Sequence, residues 1–178
     1  LAAQQCCDWD AFKRHFSALD KMTEEAIAEG RCPREQAVAG VSFSDDPQRN
    51  KRLTHAWAKM AQEGVTALHA GFTHRAQLGD PKIRIGYISS DFRLHPITQQ
   101  TLPLYALHDR ELFETFVYST GQDDGSEMRQ RVARDSDHFI DLRQVGTLDA
   151  VQKIFNDGID VLVDFSGHTE GGRMEICA

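Results

Sequence analysis

Asp91 and His95 are the side chains of this sequence whose types and spacing most directly suggest chemistry. They lie four residues apart in the polar stretch SSDFRLHP (residues 89–96), which follows the apolar run KIRIGYI. A carboxylate beside an imidazole can act as an acid–base pair, because imidazole titrates near neutral pH. In the alternative interpretation, Asp91 caps a turn and His95 takes the extended conformation that Pro96 imposes on the preceding residue. Spacing alone favours the structural interpretation, so catalysis needs support from the position of this stretch in the fold.

A second polar stretch, SGHTEGGR (residues 166–173), combines glycines with hydrogen-bonding side chains. Gly167, Gly171 and Gly172 would let the backbone approach a ligand closely, and His168 with Thr169 supplies donors and acceptors. The same composition is typical of a flexible surface loop. The stretch therefore favours neither a binding site nor an ordinary connection.

A third polar stretch, STGQDDGS (residues 119–126), is predicted to be structural. Asp124 and Gly125 suit a turn, and Ser126 suits the N-cap of a following helix. Two aspartates beside that helix end would repel a phosphate. The nucleotide fingerprint GxGxxG is absent after KIRIGYI, where Gly86 lies within the apolar run, so the sequence argues against dinucleotide binding there.

Each of these stretches follows a short β-rich run, and helical segments fill the intervals. We predict strands at 82–89, 113–120, 138–143 and 159–166, with helices at 97–108, 126–136 and 147–157. This alternation predicts right-handed βαβ units in a doubly wound α/β sheet, with the apolar run DVLVDF buried on both faces. His138 is predicted to start a strand, and Asp157 with Gly158 to end a helix. In such sheets ligands bind at the carboxyl ends of strands, where all three polar stretches are expected.

Residues 1–80 lack strand-like runs and are predicted to be a helical region, followed by the α/β region 81–178. Apolar residues three and four apart predict a first helix, with Asp8 as N-cap and Gly30 as its end. A second helix is predicted with Asp46 as N-cap, Pro47 in its first turn and Gly64 as its end. The segment between them, PREQAVAGVSFS, is predicted to be a loop.

Composition narrows the class of protein. A formal charge of -7, 40% hydrophobic residues and 26% charged residues suit a globular protein and argue weakly against a nucleic-acid partner. No apolar run is long enough for a membrane span. Histidines and cysteines show no metal-ligand spacing, so no metal is predicted. The cysteines are predicted to be reduced, small and buried, in a cytoplasmic protein; they are Cys6, Cys7, Cys32 and Cys177.

The motifs taken in order resemble one known family. RIGYISSDFRLHP, FETFVYSTGQDDGSEMRQR, HFIDL and DGIDVLVDFSGHTEGGR are similar to the start of the catalytic region of the O-GlcNAc transferase-like proteins, which carry tetratricopeptide repeats (TPRs) and include the SPINDLY branch. The resemblance is strong over 82–178 and weak before it. It implies a GT-B glycosyltransferase of two Rossmann-like lobes, of which 81–178 would be the N-terminal one, preceded by a helical link to a TPR array. It also implies transfer of N-acetylglucosamine from UDP-GlcNAc to protein serine or threonine, without metal or cofactor.

The resemblance also assigns roles to residues. His95 and Asp91 would be catalytic, His95 either as general base or by positioning, and the substrate-binding residues would be Pro96, Gly167, His168 and Thr169. Most nucleotide contacts, including a key lysine, would lie in the second lobe, so we expect residues 1–178 alone to be inactive. Two positions depart from the family pattern: Gln99 stands where some members have a second histidine, and His168 where many have tyrosine.

These departures leave GDP-fucose open as the donor. Two other interpretations remain. One is a TPR-associated scaffold that binds protein partners without catalysis. The other is a response-regulator-like flavodoxin domain. It fits the sequence less well, because this sequence lacks the paired acidic residues that such a domain has after its first strand, and because the helical region would be unexplained. Homo-oligomerisation through the TPRs is expected from the resemblance, with an acceptor protein or peptide and a nucleotide sugar as partners.

Overall fold

The computed structural model describes residues 3, 6–67, 71–72 and 82–178, and the chain divides into two compact units between residues 67 and 68. The first unit contains helices α1 (Trp9–Ala28), α2 (Ala37–Phe43) and α3 (Pro47–Ala67). The second contains β1 (Ile83–Ser89), α4 (Pro96–Thr101), α5 (Leu104–Leu107), β2 (Phe113–Ser119), α6 (Glu127–Asp135), β3 (His138–Asp141), α7 (Thr147–Asn156), β4 (Val161–Asp164) and a 3-10 turn (Met174–Ile176). Within the described part of the chain, no helix is both long and apolar enough to cross a bilayer.

Both predicted N-caps of the first unit are confirmed. Asp8 Oδ1 accepts a hydrogen bond of 2.9 Å from the N–H of Ala11, and Asp46 Oδ1 accepts one of 2.9 Å from Gln48. The end at Gly30 is also confirmed, because α1 stops at Ala28 and Gly30 has the left-handed φ of 69°. Each of these signals acts within three residues of the helix end, which makes them visible in the sequence.

Two predictions for the first unit are wrong. The segment predicted as a loop contains α2, a helix too short to be stable alone, which is held by packing against α3. Gly40 brings the two helices together: a Cβ there would lie 2.6 Å from Cδ2 of Leu53, which is fully buried. The second error is Gly64, since α3 continues through it to Ala67. Glycine costs a helix only about 1 kcal/mol relative to alanine, and helix-forming neighbours override that cost.

A buried ion pair joins the segment before α2 to α3. Glu35 has a fully buried side chain and accepts hydrogen bonds from Arg49 Nη1 at 3.0 Å and Nη2 at 2.7 Å. Thr23 of α1 donates a third bond to the same carboxylate at 2.8 Å. Arg49 Nε also pairs with Asp20 Oδ1 at 2.5 Å. Because the charges are paired and hydrogen-bonded, the network tolerates burial; removing Arg49 would leave Glu35 uncompensated, whereas removing Glu35 would leave Arg49 with Asp20 alone.

All four predicted strands are confirmed, and they form one parallel sheet in the order β3-β2-β1-β4. The helix predicted at 97–108 is instead two short helices, because Pro103 cannot donate the hydrogen bond that a continuous helix needs. The prediction that DVLVDF is buried on both faces is wrong: Val161 is 48% exposed, and the other residues of β4 are only half-buried. Among the described strands β4 pairs with β1 alone, so it forms an edge of this sheet.

The sheet is covered on both faces, since neighbouring residues of one strand belong to different clusters. Tyr87 of β1 packs in a cluster with Tyr105 and Val132, whereas Ile88 packs with residues of α7. In β2, likewise, Val117 joins the first cluster and Tyr118 the second. This three-layer arrangement confirms the predicted Rossmann-like α/β class.

The cysteines differ from expectation in their burial. All four are free, but three of them are exposed and the fourth is only half-buried; the exposed ones are Cys6, Cys7 and Cys177. The prediction that these are small buried residues is therefore wrong. Cys6 and Cys7 lie in the turn before α1, and Cys177 follows the last 3-10 turn, so none of the three belongs to a core element.

Candidate functional site

The strand order creates a switch point at the carboxyl ends of β1 and β4. The chain runs from β1 to β2 to β3 on one side of β1, and β4 then joins β1 on its other side. Connections that leave neighbouring strands in opposite directions open a crevice where ligands of α/β proteins bind. The loop after β1 (residues 90–95, the β1 loop) and the loop after β4 (residues 165–173, the β4 loop) both begin here.

Hydrogen bonds hold the β1 loop in one conformation around Asp91. Its N–H donates to Ser89 Oγ at 3.0 Å, and its side chain is only 8% exposed. Thr98, fully buried in α4, donates its hydroxyl to the Asp91 carbonyl and accepts the N–H of Arg93 at 3.3 Å. Thr98 was not singled out from the sequence, because a threonine within a short helix carries no local signal of this contact.

The structure brings Asp91 and His95 together, but not into a hydrogen bond. His95 Nδ1 lies 3.8 Å from Asp91 Oδ2, and Asp91 Oδ1 is instead paired with Arg93 Nη2 at 3.1 Å. His95 Nδ1 accepts the N–H of Ile97 at 3.3 Å, which makes His95 the N-cap of α4. Its backbone is extended, with φ -148° and ψ 148°, as predicted from the following proline.

The cap determines what the imidazole of His95 can offer. Since Nδ1 accepts a hydrogen bond, the neutral ring carries its proton on Nε2. Nε2 has no partner within the described residues, and the side chain is 33% exposed. His95 is thus set to donate a hydrogen bond from Nε2. Pro96, at the first position of α4, is exposed beside it.

Serine hydroxyls connect the β1 and β4 loops. Ser166 Oγ accepts the N–H of Ser90 at 3.0 Å and lies 3.1 Å from Ser89 Oγ and 3.3 Å from Ser90 Oγ. Gly171 also approaches this seam, since a Cβ at that position would lie 3.2 Å from Ser90 Cβ. These serines, rather than Asp91 or His95, make the hydrogen bonds between the two loops in the described structure.

The glycines of the β4 loop serve its own turn. Gly167 and Gly171 have left-handed φ values of 49° and 81°. A Cβ at Gly172 would lie 2.5 Å from the Gly167 carbonyl oxygen, so no other residue fits there. Thr169, an exposed residue, donates its hydroxyl to Ser166 O at 2.6 Å. The tight turn explains all three glycines without a ligand.

His168 is the exception in the β4 loop. Of the described side chains, two have a buried nitrogen or oxygen without a hydrogen-bond partner, and His168 Nδ1 is one of them. Leaving a buried polar atom unpaired costs about 1–3 kcal/mol. The other such atom, Asn50 Oδ1, belongs to the first unit, residues 1–67 (the helical unit), whereas His168 belongs to the second, residues 68–178 (the sheet unit). A polar group of a ligand could therefore form a hydrogen bond with His168 Nδ1, which makes the β4 loop a candidate binding site in the sheet unit.

The loop after β2 is structural, as predicted, and it also supports the β1 loop. Ser126 Oγ caps α6 by accepting the N–H of Arg129 at 3.2 Å, and Gly125 has φ 67°. Asp124 Oδ2 accepts the N–H of Leu94 at 2.8 Å. That hydrogen bond is the main reason why the pKa of Asp124 falls to about 2. The contact with Leu94 was not predicted, because it joins residues 30 positions apart.

Three arginines beside these loops are compensated by carboxylates. Each forms an ion pair: Arg93 with Asp91, Arg129 with Asp123 and Asp141, and Arg173 with Glu175. A leaving phosphate would therefore find little uncommitted positive charge on these arginines. Arg129 itself was missed in the sequence, although it lies three residues before the buried Val132 on the inner face of α6.

A model of the family described as "Glycosyl transferase family 41" matches residues 6–178. The chain belongs to glycosyl transferase family 41. This agrees with the resemblance carried by the strand and loop motifs. The matched residues include both the β1 loop and the β4 loop.

Two relatives of this family 41 chain span all or nearly all of it. It is 32% identical over 189 residues to a probable UDP-N-acetylglucosamine--peptide N-acetylglucosaminyltransferase SEC from Arabidopsis thaliana, covering 100% of this chain and 19% of that protein. It is 29% identical over 194 residues to a UDP-N-acetylglucosamine--peptide N-acetylglucosaminyltransferase from Caenorhabditis elegans, covering 98% of this chain and 16% of the other. The chain thus spans less than a fifth of the length of these curated relatives.

A solved structure shows the same fold. A mutant O-GlcNAc transferase from Thermobaculum terrenum matches with a TM-score of 0.58 and 22% identity, over 90% of this chain and 34% of that one. At this identity the likeness speaks to the fold alone, and it confirms the predicted GT-B lobe.

Proposed function

We propose that the protein to which this chain belongs transfers N-acetylglucosamine from UDP-GlcNAc to serine or threonine hydroxyls of proteins. The observation that carries the proposal is the position of His95, with Nε2 free, at the switch point of a family 41 sheet. The names of the curated relatives support the donor and the peptide acceptor. In the same proposal the protein is cytoplasmic, and an upstream TPR array supports acceptor binding and self-association.

His95 and Asp91 act in this proposal by positioning. Transfer joins the acceptor oxygen to the anomeric carbon while the bond to the diphosphate breaks, and the proton of the acceptor hydroxyl passes to the departing UDP. Because Nδ1 of His95 is used to cap α4, Nε2–H donates a hydrogen bond to the sugar or the acceptor oxygen. Asp91 holds Arg93 and places its second carboxylate oxygen 3.8 Å from the imidazole, and the N–H of Ile97 orients the ring. Holding the reacting groups in the correct geometry is a large part of catalysis for a nucleophile as weak as a hydroxyl.

The β4 loop completes this half of the cleft. His168 offers its buried Nδ1 to a polar group of the substrate, Gly167 and Thr169 shape the turn around it, and the exposed Pro96 contributes from the end of the β1 loop. Positive charge for the leaving diphosphate is expected from the second lobe, because the arginines near these loops are already paired. In this proposal residues 1–178 hold half of the cleft, and they have no transferase activity alone.

The test uses the full-length protein with UDP-GlcNAc and, separately, GDP-fucose. Nucleotide release and modified serine or threonine, found by mass spectrometry, would establish the reaction and the donor. Transfer from GDP-fucose alone would overturn the proposed donor, and absence of both binding and transfer would favour a protein-binding scaffold. Activity of residues 1–178 above that of a His95→Ala variant would refute the proposed need for a second lobe.

Two substitutions of His95 separate catalysis from helix capping. Asparagine is a good N-cap, so His95→Asn keeps a side-chain acceptor for the N–H of Ile97 but lacks Nε2–H. His95→Ala removes both. We expect both variants to lose about a hundredfold in kcat, the effect of losing one aligned donor, while only His95→Ala destabilises α4. Unchanged transfer by His95→Asn would show that His95 is only a cap.

A further inference from the structure

Arg129 is a buried arginine that contacts the β1 loop, the loop after β2 and the end of β3. It lies in the first turn of α6 and is only 5% exposed. Its Nη1 donates to the Phe92 carbonyl at 3.2 Å and to Ser119 Oγ at 2.7 Å. Its Nη2 donates to Asp141 Oδ2 at 2.9 Å. One guanidinium thus joins the β1 loop to the carboxyl ends of β2 and β3.

Two further contacts fix the plane of this guanidinium. Nε lies 3.2 Å from Asp123 Oδ1, and the central carbon of the group lies 4.9 Å from the centre of the Phe139 ring. Hydrogen bonds from Nη1 and Nη2, an ion pair at Nε and an aromatic face beneath the group leave the side chain a single orientation. Whatever Arg129 binds is therefore held in one place.

The group that Arg129 binds on the β1 loop lies between the two candidate catalytic residues. Phe92, whose carbonyl it holds, follows Asp91, and Leu94, whose N–H is held by Asp124, precedes His95. Arg129 and Asp124 thus hydrogen-bond the backbone of the β1 loop on both sides of Arg93. The seam of serine hydroxyls fixes the start of the same loop from the β4 side.

We propose that Arg129 is a positioning residue for sugar transfer, which sets the β1 loop so that Asp91 and His95 face the cleft. This inference rests on the proposed function and adds to it a residue outside the cleft. Arginine is required, since lysine is a point charge with three donors on a flexible stem and cannot reproduce the planar set of contacts. Lysine does preserve the positive charge that Asp123 and Asp141 need, so Arg129→Lys tests geometry rather than charge.

The experiment compares Arg129→Lys with Arg131→Lys in the full-length protein. Arg131 lies two residues further along α6, where its exposed side chain pairs with Asp135. A third variant, Asp124→Ala, removes the acceptor of the Leu94 N–H. It loosens the same loop from a second side, so the test does not depend on Arg129→Lys folding normally. For each variant we would measure the folded fraction, kcat and KM for the donor, and deuterium uptake of the peptide that contains the β1 loop.

We expect Arg129→Lys to lower kcat per folded molecule about tenfold to hundredfold, the size of effect that a displacement of about 1 Å can cause, with a smaller change in donor KM. Uptake in the β1 loop should rise in Arg129→Lys and Asp124→Ala, and stay at the wild-type value in Arg131→Lys. Wild-type kcat per folded molecule, or unchanged uptake in both loop variants, would overturn the role of Arg129. If the wild-type protein transfers no sugar, the proposed function fails, but uptake still shows whether Arg129 sets the loop.

Discussion

Replacing Gly121 by alanine tests how tightly the β1 loop is held against its neighbour. Gly121 lies in the loop after β2, and a Cβ added there would lie 1.8 Å from the Ser90 carbonyl oxygen, 2.7 Å from its carbon and 3.1 Å from its Cα. Real Cβ atoms essentially never approach another heavy atom within 3.0 Å. The Ser90 oxygen and the new methyl must therefore separate by about 1.2 Å.

The neighbours of Ser90 resist that displacement. Its N–H is bonded to Ser166 Oγ at 3.0 Å, and the preceding carbonyl, of Ser89, accepts the N–H of Thr120 at 2.9 Å. Overpacking a well-packed site costs about 1–3 kcal/mol. Because the atoms that must move here are backbone, we expect Gly121→Ala to cost about 3 kcal/mol, or about 10 °C in the melting temperature of a unit of this size.

Aromatic residues let the two units be followed separately in one sample. All three tyrosines lie in the sheet unit, and both tryptophans lie in the helical unit. Near-ultraviolet circular dichroism of tyrosine should therefore report the loss of stability, while the tryptophan fluorescence transition should stay close to that of wild type. The control is Gly146→Ala, in the same unit, where the nearest atom to an added Cβ is 3.7 Å away.

We expect the control to change stability by less than about 1 kcal/mol, since that contact is an ordinary one. Equal melting temperatures for Gly121→Ala and wild type would refute the close packing of the two loops. Equal losses in both variants would instead indicate a general sensitivity to alanine in this unit.

Three further predictions concern stability. Gly64→Ala, in open space within α3, should stabilise the helical unit by about 0.5–1 kcal/mol in denaturant unfolding; a loss would show that Gly64 has a hidden role. Glu35→Gln should cost that unit about 2 kcal/mol, because the buried Arg49 loses one of its two carboxylate partners and keeps only Asp20, and a neutral result would contradict this. Burial lowers the pKa of His108, which is hydrogen-bonded to the Tyr87 hydroxyl at 2.7 Å. The stability that neutral His108 provides is thus complete above its unfolded pKa of about 6.5 and is lost as pH falls from there through the lower folded pKa. His108→Gln should therefore weaken the pH dependence of stability below about pH 6.5; an unchanged pH dependence would contradict the assignment.

Local signals in the sequence were sufficient for most elements. Short β-rich runs predicted β1 and β2 to within one residue at each end. The N-caps Asp8, Asp46 and Ser126 were predicted because each acts on a backbone N–H two or three residues ahead. What these have in common is that the deciding contact lies within one turn of the residue that makes it.

Features that depend on distant contacts were not predicted. α2 is stable because Gly40 allows it to pack against Leu53, and nothing in the sequence near either residue indicates this contact. Gly121 was not singled out in the sequence, because the contact that requires glycine there is with the carbonyl of Ser90, 31 positions earlier. The sequence therefore identified the candidate side chains of the site without the residues that fix their geometry.

The same contrast explains why Asp91 and His95 could not be assigned roles from their spacing. Four residues of separation allow an acid–base pair, but the distance of 3.8 Å and the cap on Ile97 give the imidazole a different task. A cap is usually taken as the structural alternative to catalysis. Here the cap orients the ring and leaves Nε2 as its free donor, so the structural and the functional interpretation of His95 describe one arrangement.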